Sequence, residues 1–540
     1  MSDGFMNRSW PRPNNHFLAF GSSKDFRFYL RSLAFVVLFI WVISKSFLFQ
    51  GLEYTSDLFS FLQMSRISLQ RGLLFENAWG NMAAIHNFYA ILLFSPLTYP
   101  FGAYGLFLGT ALLYFVALWK LAGLKDQLLS VRSKFTVIVM TLGPIGFWLF
   151  DNPIYGWHLE LNFVPLSILL AAFLIEGRLI ASILVSVLFV FTKEDGPVLA
   201  CLIFLIHEML IRRQSQESEA LYARIKRPAK ICAVWIIVFL LGLLLLHLQK
   251  TYSTSEGQVD YSDRLAIAAG GFVKRVSSGE GIYSLWSMYV ASLLIVLSAF
   301  LVLVQVNFFK ICAIYLITSI PLYIVLIIPS FAYAGTYHGL LWPPRFSLLW
   351  GLSICNAIFF LAKTPQRRST FMRQSLYFLL MAASILLQIQ VLNHYRNYSY
   401  AERISQLFNF KSPANLIAER LSGDEYRFTE CIASRVKTPS SILTEGSLFA
   451  IFHRHDIVFP SRIHNAWSYP VLAVCDLQRR MPFGEKCVEF LSEKRYKPDW
   501  QMIQKGYIIA ATSEQPIADV LSDCGNQLES FSETCGNGLN

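Results

Sequence analysis

Acidic residues are scarce in this chain of 540 residues: 35 Asp and Glu stand against 46 Lys and Arg, and charged residues of both signs make up 15%. Closely paired cysteines are missing as well. None of the nine has CxxC spacing, which argues against a zinc site. No cleavable signal peptide is evident, because the N-terminus is long and polar and the first apolar run is span-length, so it reads as a retained first helix. Nor does any internal symmetry relate the two halves, as the interrupted repeats of many transporters would.

What is present is apolar: 54% of the residues, 45 of them Phe. Repeated unbroken stretches of roughly 20 residues, the length that crosses a hydrocarbon core, mark an integral membrane protein. The net charge of +11 does not point to nucleic acid, since the basic residues sit in short loops between spans as the positive-inside rule requires. Residues 1–27 carry Arg8, Arg12, Lys24 and Arg27 and are assigned to the cytoplasm. Residues 28–392 thread as about eleven spans, near 28–49, 101–119, 135–150, 162–175, 179–192, 196–211, 231–249, 285–306, 311–330, 345–362 and 374–392. The outer loop 50–100 includes an apolar stretch at 84–99, interrupted by Pro96 and close to Pro100, which reads as re-entrant, interfacial or spanning. With that threading the basic loops near 120–134, 212–230 and 363–373 all lie inside.

From 393 to 540 the character changes. Apolar runs shorten to strand length, near 441–445, 456–459, 470–475 and 506–511, and alternate with helix-like stretches such as SLFAIFHR and EKCVEFLSEKRY. That alternation predicts a small extracytoplasmic α/β domain. Cys431, Cys475, Cys487, Cys524 and Cys535 fall in it. An outward location permits disulfides, but five is odd and the pairing cannot be read from sequence. The expected fold is therefore mainly α, a polytopic helical bundle with a C-terminal α/β unit.

Ionisable residues are expensive at membrane depth, yet Asp57, His86, His158, Glu160, Lys193, Glu194, Asp195 and His338 all emerge on the outer side of this threading. That points to one site at the outer mouth. Asp57 reads either as a general base, a metal ligand or the cap of a helix that begins there. His86 is a site residue or an interfacial imidazole held by a carbonyl. His158 and Glu160, two apart, share a face only if the segment is extended. The Lys193-Glu194-Asp195 triplet directly follows an apolar run, where a plain turn needs no such charge, although mutual pairing alone is another reading. Tyr337, His338 and Arg345 lie in YHGLLWPPR; Arg345 could hold an anionic headgroup or phosphate or snorkel to the interface.

Together these segments resemble a family of prokaryotic multispan proteins labelled domain of unknown function 2079. The resemblance rests on Asp57-Leu58, Gln63, Gly72, His86, Pro96, Trp157-His158 and Lys193 to Asp195, and on SSILTEGSLFAIFHRHDIVFP in the outer part. Trp157 stands where that family usually has Asp, which weakens a metal reading of this loop. The family in turn resembles the GT-C glycosyltransferases, which transfer sugars from polyprenyl-phosphate carriers outside the cytoplasm. The resemblance implies Asp57 as the base that deprotonates an acceptor hydroxyl, and Lys193 or Arg345 offsetting the phosphate of the leaving lipid. The implied partners are membrane lipids, a polyprenyl-phosphate-linked sugar and an acceptor in the envelope, with no nucleic acid, at a prokaryotic cytoplasmic membrane. No organic cofactor is expected, and a divalent metal stays open. The alternative reading is a transporter or lipid-handling protein using the same outer cavity; a third is a structural protein whose outer domain binds a partner.

Overall fold

The structure is a computed structural model and, apart from single positions, describes residues 23–51, 56–71, 86–210, 280–332, 341–363, 371–403, 424–436, 441–444, 448–458, 472–476, 500–504, 507–511 and 523–524. It is a mainly helical, integral membrane architecture. Helix α1, Ser23–Gln50, places Asp25 in its first turn, where an acid complements the helix dipole. Its buried side recurs every three or four residues at Phe26, Leu30, Ala34, Leu38 and Trp41, while Phe28, Phe35 and Phe39 are exposed toward the bilayer. After α2, Ser56–Arg71, and α3, Ser95–Phe101, helix α4, Ala103–Gly123, runs back along α1. The antiparallel pairing shows in the ring contacts Phe35–Phe115, Trp41–Tyr114 and Phe49–Phe107.

Helices α5, Val131–Leu142, and α6, Pro144–Asp151, form one element bent by 41°. Gly143 and Pro144 sit at the break, where proline cannot continue the hydrogen-bond ladder. Then come α7, Phe163–Ile175, α8, Leu179–Thr192, α9, Gly196–Leu210, α10, Glu280–Phe300, α11, Val304–Ala332, α12, Pro343–Lys363, and α13, Phe371–Arg396. At the centre is α12, buried without a break from Pro343 to Leu361. It lies so close to α7 that a Cβ on Gly351 would come 2.6 Å from Ser167 Oγ.

The described residues account for part of the eleven expected spans. Among the described residues five helices are long and apolar enough to cross a membrane, or six if the bent pair is one span. The expected spans at 162–175, 179–192 and 196–211 are helices of 13, 14 and 15 residues. At about 1.5 Å per residue they reach only about 20 Å, short of a core about 30 Å thick. Of the three, α7 is enclosed by α4, α8, α9 and α12, and a helix apolar all round is one covered on all sides, whereas α8 and α9 keep apolar side chains such as Ile180, Leu184 and Met209 exposed. The stretch 84–99 does not span; it is a 3-10 turn, Tyr89–Phe94, followed by the seven residues of α3. The expected span at 231–249 lies outside the described residues, as do Gly72 and the stretch 485–496.

In the C-terminal part, helix α14, Asp424–Arg435, precedes strands β1 Ser441–Thr444, β2 Asp456–Val458, β3 Leu472–Asp476, β4 Trp500–Gln504 and β5 Tyr507–Ala511. The five-stranded sheet has the order β2-β1-β3-β5-β4, parallel through β2-β1-β3 and antiparallel from β3 onward. Four of these strands lie within two residues of the expected positions. Strand β4 was not expected, because WQMIQ mixes polar and apolar residues as an edge strand can. The helix expected at SLFAIFHR is instead a run of turns over 450–454, with Leu448, Ile451 and Phe452 buried in one apolar cluster with Leu58, Phe59 and Leu62 of α2. Cys431 and Cys524 form a disulfide.

Polar contacts fix this unit on α2. Gln63 Nε2 donates to the His455 carbonyl at 3.1 Å, and Arg66 Nη1 lies 2.6 Å from His453 Nε2. Burial and the Arg66 guanidinium push the His453 ring down to about 3, so it stays neutral and accepts from Arg66. A ring so depressed contributes stability above its unfolded value of 6.5, and that contribution is lost progressively as pH falls toward the folded value. Protease resistance of the 424–458 region is therefore expected to drop between about pH 7 and about pH 5. His453→Gln should flatten the dependence. A flat profile in the unaltered protein would show that the Arg66–His453 contact does not hold the unit down.

Candidate functional site

Four chain segments meet at one end of the bundle. The first turn of α2 carries Asp57. The connection after α6 turns sharply, with Asn152 at φ 47° and Gly156 at φ 75°. A Cβ on Gly156 would lie 2.7 Å from the Tyr54 ring, so only glycine permits both the backbone and the approach. That turn delivers His158 in extended conformation to a 3-10 turn, Leu159–Asn162, which holds Glu160. Helix α8 ends in an extended Lys193, and α9 begins at Gly196. The first turn of α12 supplies Arg345.

Their side chains form a continuous chain of opposite charges. Asp57 Oδ2 is 2.9 Å from His158 Nε2, and His158 Nδ1 is 3.4 Å from Glu160 Oε2. Glu160 Oε1 accepts from Lys193 Nζ at 2.9 Å, and Lys193 Nζ is 3.9 Å from Asp195 Oδ2. Next to it on the chain, Glu194 Oε1 is 2.6 Å from His86 Nδ1. The ring of His158 is packed edge-on against Phe61 and Trp342, each at 4.9 Å. The Arg345 guanidinium in turn lies 5.4 Å from the Trp342 ring. The His158–Glu160 contact is an ion pair at 3.4 Å, and His158 Nδ1, Glu160 Oε2 and Glu194 Oε2 have no hydrogen-bond partner among the described residues. Asp57 is not a cap; no amide of its own helix donates to it among the described residues, and its side chain keeps 19% exposure.

Proton affinities follow from these contacts. Burial raises the Glu160 carboxyl, but the Lys193 ammonium and the His158 ring more than offset this and leave it well below the usual range. Burial lowers Lys193, and Glu160 and Asp195 reverse that to a value above normal. For His158, burial favours the neutral ring, while hydrogen bonding to Asp57 and the charge of Glu160 raise its affinity overall. Asp195 is raised by burial and by Glu194, with Lys193 opposing.

Of the residues expected from sequence, Asp57, His158, Glu160, Lys193 and Asp195 are thus joined by contacts, with His86 and Glu194 on the adjoining pair. Arg345 is felt electrostatically by both Lys193 and Asp195. Tyr337 and His338 lie outside the described residues. No group of three or more His, Cys, Asp or Glu able to hold a metal occurs among the described residues, and the Lys193 ammonium lies between the carboxylates of Glu160 and Asp195. An apolar cleft of about 270 Å³ opens beside the site. Leu159 and Thr192, the neighbours of Glu160 and Lys193, line its inner end, and the exposed Leu93 and Val116 line its bilayer side.

Sequence reasoning missed a second polar cluster nearby. Asp151, at the end of α6, accepts from Tyr54 at 2.8 Å, Tyr398 at 2.7 Å and Arg403 Nε at 3.0 Å. The ammonium of Lys45 caps the same helix end through the carbonyls of Phe150 and Asp151, a favourable place for a cation. The available signal was a lysine inside an apolar run and an aspartate closing another, both costly at that depth unless paired.

No family model matches the chain, and no curated protein matches it. Among solved structures it is similar to the crystal structure of ArnT from Cupriavidus metallidurans bound to undecaprenyl phosphate. The TM-score is 0.49 at 11% identity, covering 92% of this chain and 99% of that one.

Removing one member of a buried ion pair strands the other, at a cost of about 3–5 kcal/mol. Glu160→Gln is therefore expected to lower the unfolding temperature in detergent markedly. The double variant Glu160→Gln with Lys193→Met should recover much of the loss. If the double variant were no more stable than the single one, the Glu160–Lys193 pair would not be the link that closes the site.

Proposed function

We propose that the chain is a membrane glycosyltransferase that moves a sugar from a polyprenyl-phosphate carrier to an acceptor hydroxyl at the outer face of the membrane. The carrying observation is the environment of Asp57: one oxygen is held by His158, and the carboxylate is partly open at the mouth of the bundle. The Glu160–Lys193 pair fixes His158 in place from the far side. In this reading Asp57 takes the proton of the acceptor hydroxyl as its oxygen bonds to the anomeric carbon. The bond from that carbon to the phosphate oxygen breaks with inversion, and the electron pair leaves on the polyprenyl phosphate. Lys193 or Arg345 offsets the charge of the leaving phosphate. The apolar cleft beside Leu159 and Thr192 offers a bilayer-side path for a lipid chain.

The orientation assigned here puts the C-terminal sheet outside, where its Cys431–Cys524 disulfide meets an oxidising compartment. It also puts Lys120, Lys125, Arg132 and Lys134 at the opposite, cytoplasmic end. The sheet unit shapes the acceptor side, because it packs against the helix that carries Asp57. Asp57→Asn keeps the shape and removes the base. Sugar transfer from a polyprenyl-linked donor is expected to fall by roughly 10²–10⁴-fold, with protein abundance unchanged. Full activity in that variant would end the assignment of Asp57 as base.

A further inference from the structure

A second set of cations lies at the end of the bundle away from Asp57, where α1 begins, α4 ends and α5 begins. Arg27 and Arg31 stand one turn apart on α1, a spacing at which like charges repel. Arg27 Nη2 is 3.4 Å from Asp126 Oδ2, and the fully buried Lys134 is 2.6 Å from the other oxygen of the same carboxylate. One acid therefore serves two cations, and Arg31 has no acidic partner among the described residues. Its guanidinium instead lies 3.9 Å over the ring of Trp119. It passes close to Gly123, where an added Cβ would be 3.1 Å from its Nη2. The Nε–H groups of Arg27 and Arg31 are both buried without a hydrogen-bond partner among the described residues. Three cations, Arg27, Arg31 and Lys134, thus gather around the Asp126 carboxylate.

The surroundings say where a partner would come from. Trp119 is 46% exposed, and Phe28 and Tyr29 beside the arginines are 66% and 61% exposed. Exposed aromatics in that position mark the boundary between hydrocarbon and headgroups. Two unsatisfied guanidinium donors at this depth call for planar or tetrahedral oxyanions, and the abundant ones there are lipid phosphates.

We infer that Arg27 and Arg31, supported by Lys134 and Trp119, bind the phosphate of an anionic phospholipid headgroup. The site is independent of the transferase reading, since it is at the other end of the bundle and needs no turnover. Its test uses the full-length protein in detergent and native mass spectrometry with phosphatidylglycerol, phosphatidylcholine or glycerol phosphate added. Phosphatidylglycerol is expected to be retained about tenfold better than phosphatidylcholine. Arg31→Gln, which breaks no ion pair among the described residues, should remove most of that preference, and Arg27→Gln with Arg31→Gln should remove it all. Arg178→Gln, an exposed arginine at the same end already paired with Glu176, should leave it unchanged. Equal retention of the two lipids, an unaltered preference in Arg31→Gln, or an equal loss in Arg178→Gln would each overturn the inference. Glycerol phosphate binding as well as the lipid would do so too, by showing that a soluble phosphate is the ligand.

Discussion

The ion pair of Glu160 with Lys193 ties together two segments that would otherwise be costly to bury. Glu160 is 1% exposed and Lys193 is 9% exposed, and neither charge is tolerable there alone. Pairing them fixes the 3-10 turn after His158 against the turn between α8 and α9. Everything in the candidate site hangs from that joint: His158 is held between Glu160 and Asp57, and Glu194 and Asp195 are positioned by following Lys193 directly. Ser347 of α12 donates to the Glu160 carbonyl at 2.7 Å, so the central helix is locked to the same point.

The short helices explain how such a joint can exist at membrane depth. The start of α7 and the turn between α8 and α9 lie inside the bundle, while the turn between α7 and α8 at 176–178 is at the surface. Irregular backbone is tolerated at that depth only where protein covers it or water reaches it. The covering comes from α2, from the Tyr89–Phe94 turn and from α12. The cluster around Asp151 does the same for the neighbouring connection, with Tyr398 and Arg403 from the segment after α13 satisfying a carboxylate 1% exposed. Two ionic joints therefore flank the mouth, one carrying the candidate chemistry and one holding the last helix in place.

The two ends of the bundle use charge differently. At the Asp57 end acids and bases alternate and pair, with Glu160 between His158 and Lys193. At the other end positive charge is in excess and leans on aromatic rings at the lipid boundary, as expected where the membrane itself supplies the counter-charge.

Much of this was legible in the sequence, for a physical reason. A charge at membrane depth must be paired or solvated, so the sidedness of Asp57, His86, His158, Glu160 and the Lys193 triplet already implied convergence. The apolar runs of strand length likewise located four of five strands. Hydropathy located α7, α8 and α9 but could not show that α7 is enclosed by α4, α8, α9 and α12. Nor could it show that Asp57 meets His158 and not an amide of its own helix, that Glu160 takes Lys193 as its partner, or that Asp151 finds Arg403 across 252 residues. Composition and periodicity are local, and they determined which residues had to be buried, exposed or paired. Which partner each one found was decided by the packing of α7 against α12 and of α2 against the turns at 448–455, contacts between segments far apart in the chain.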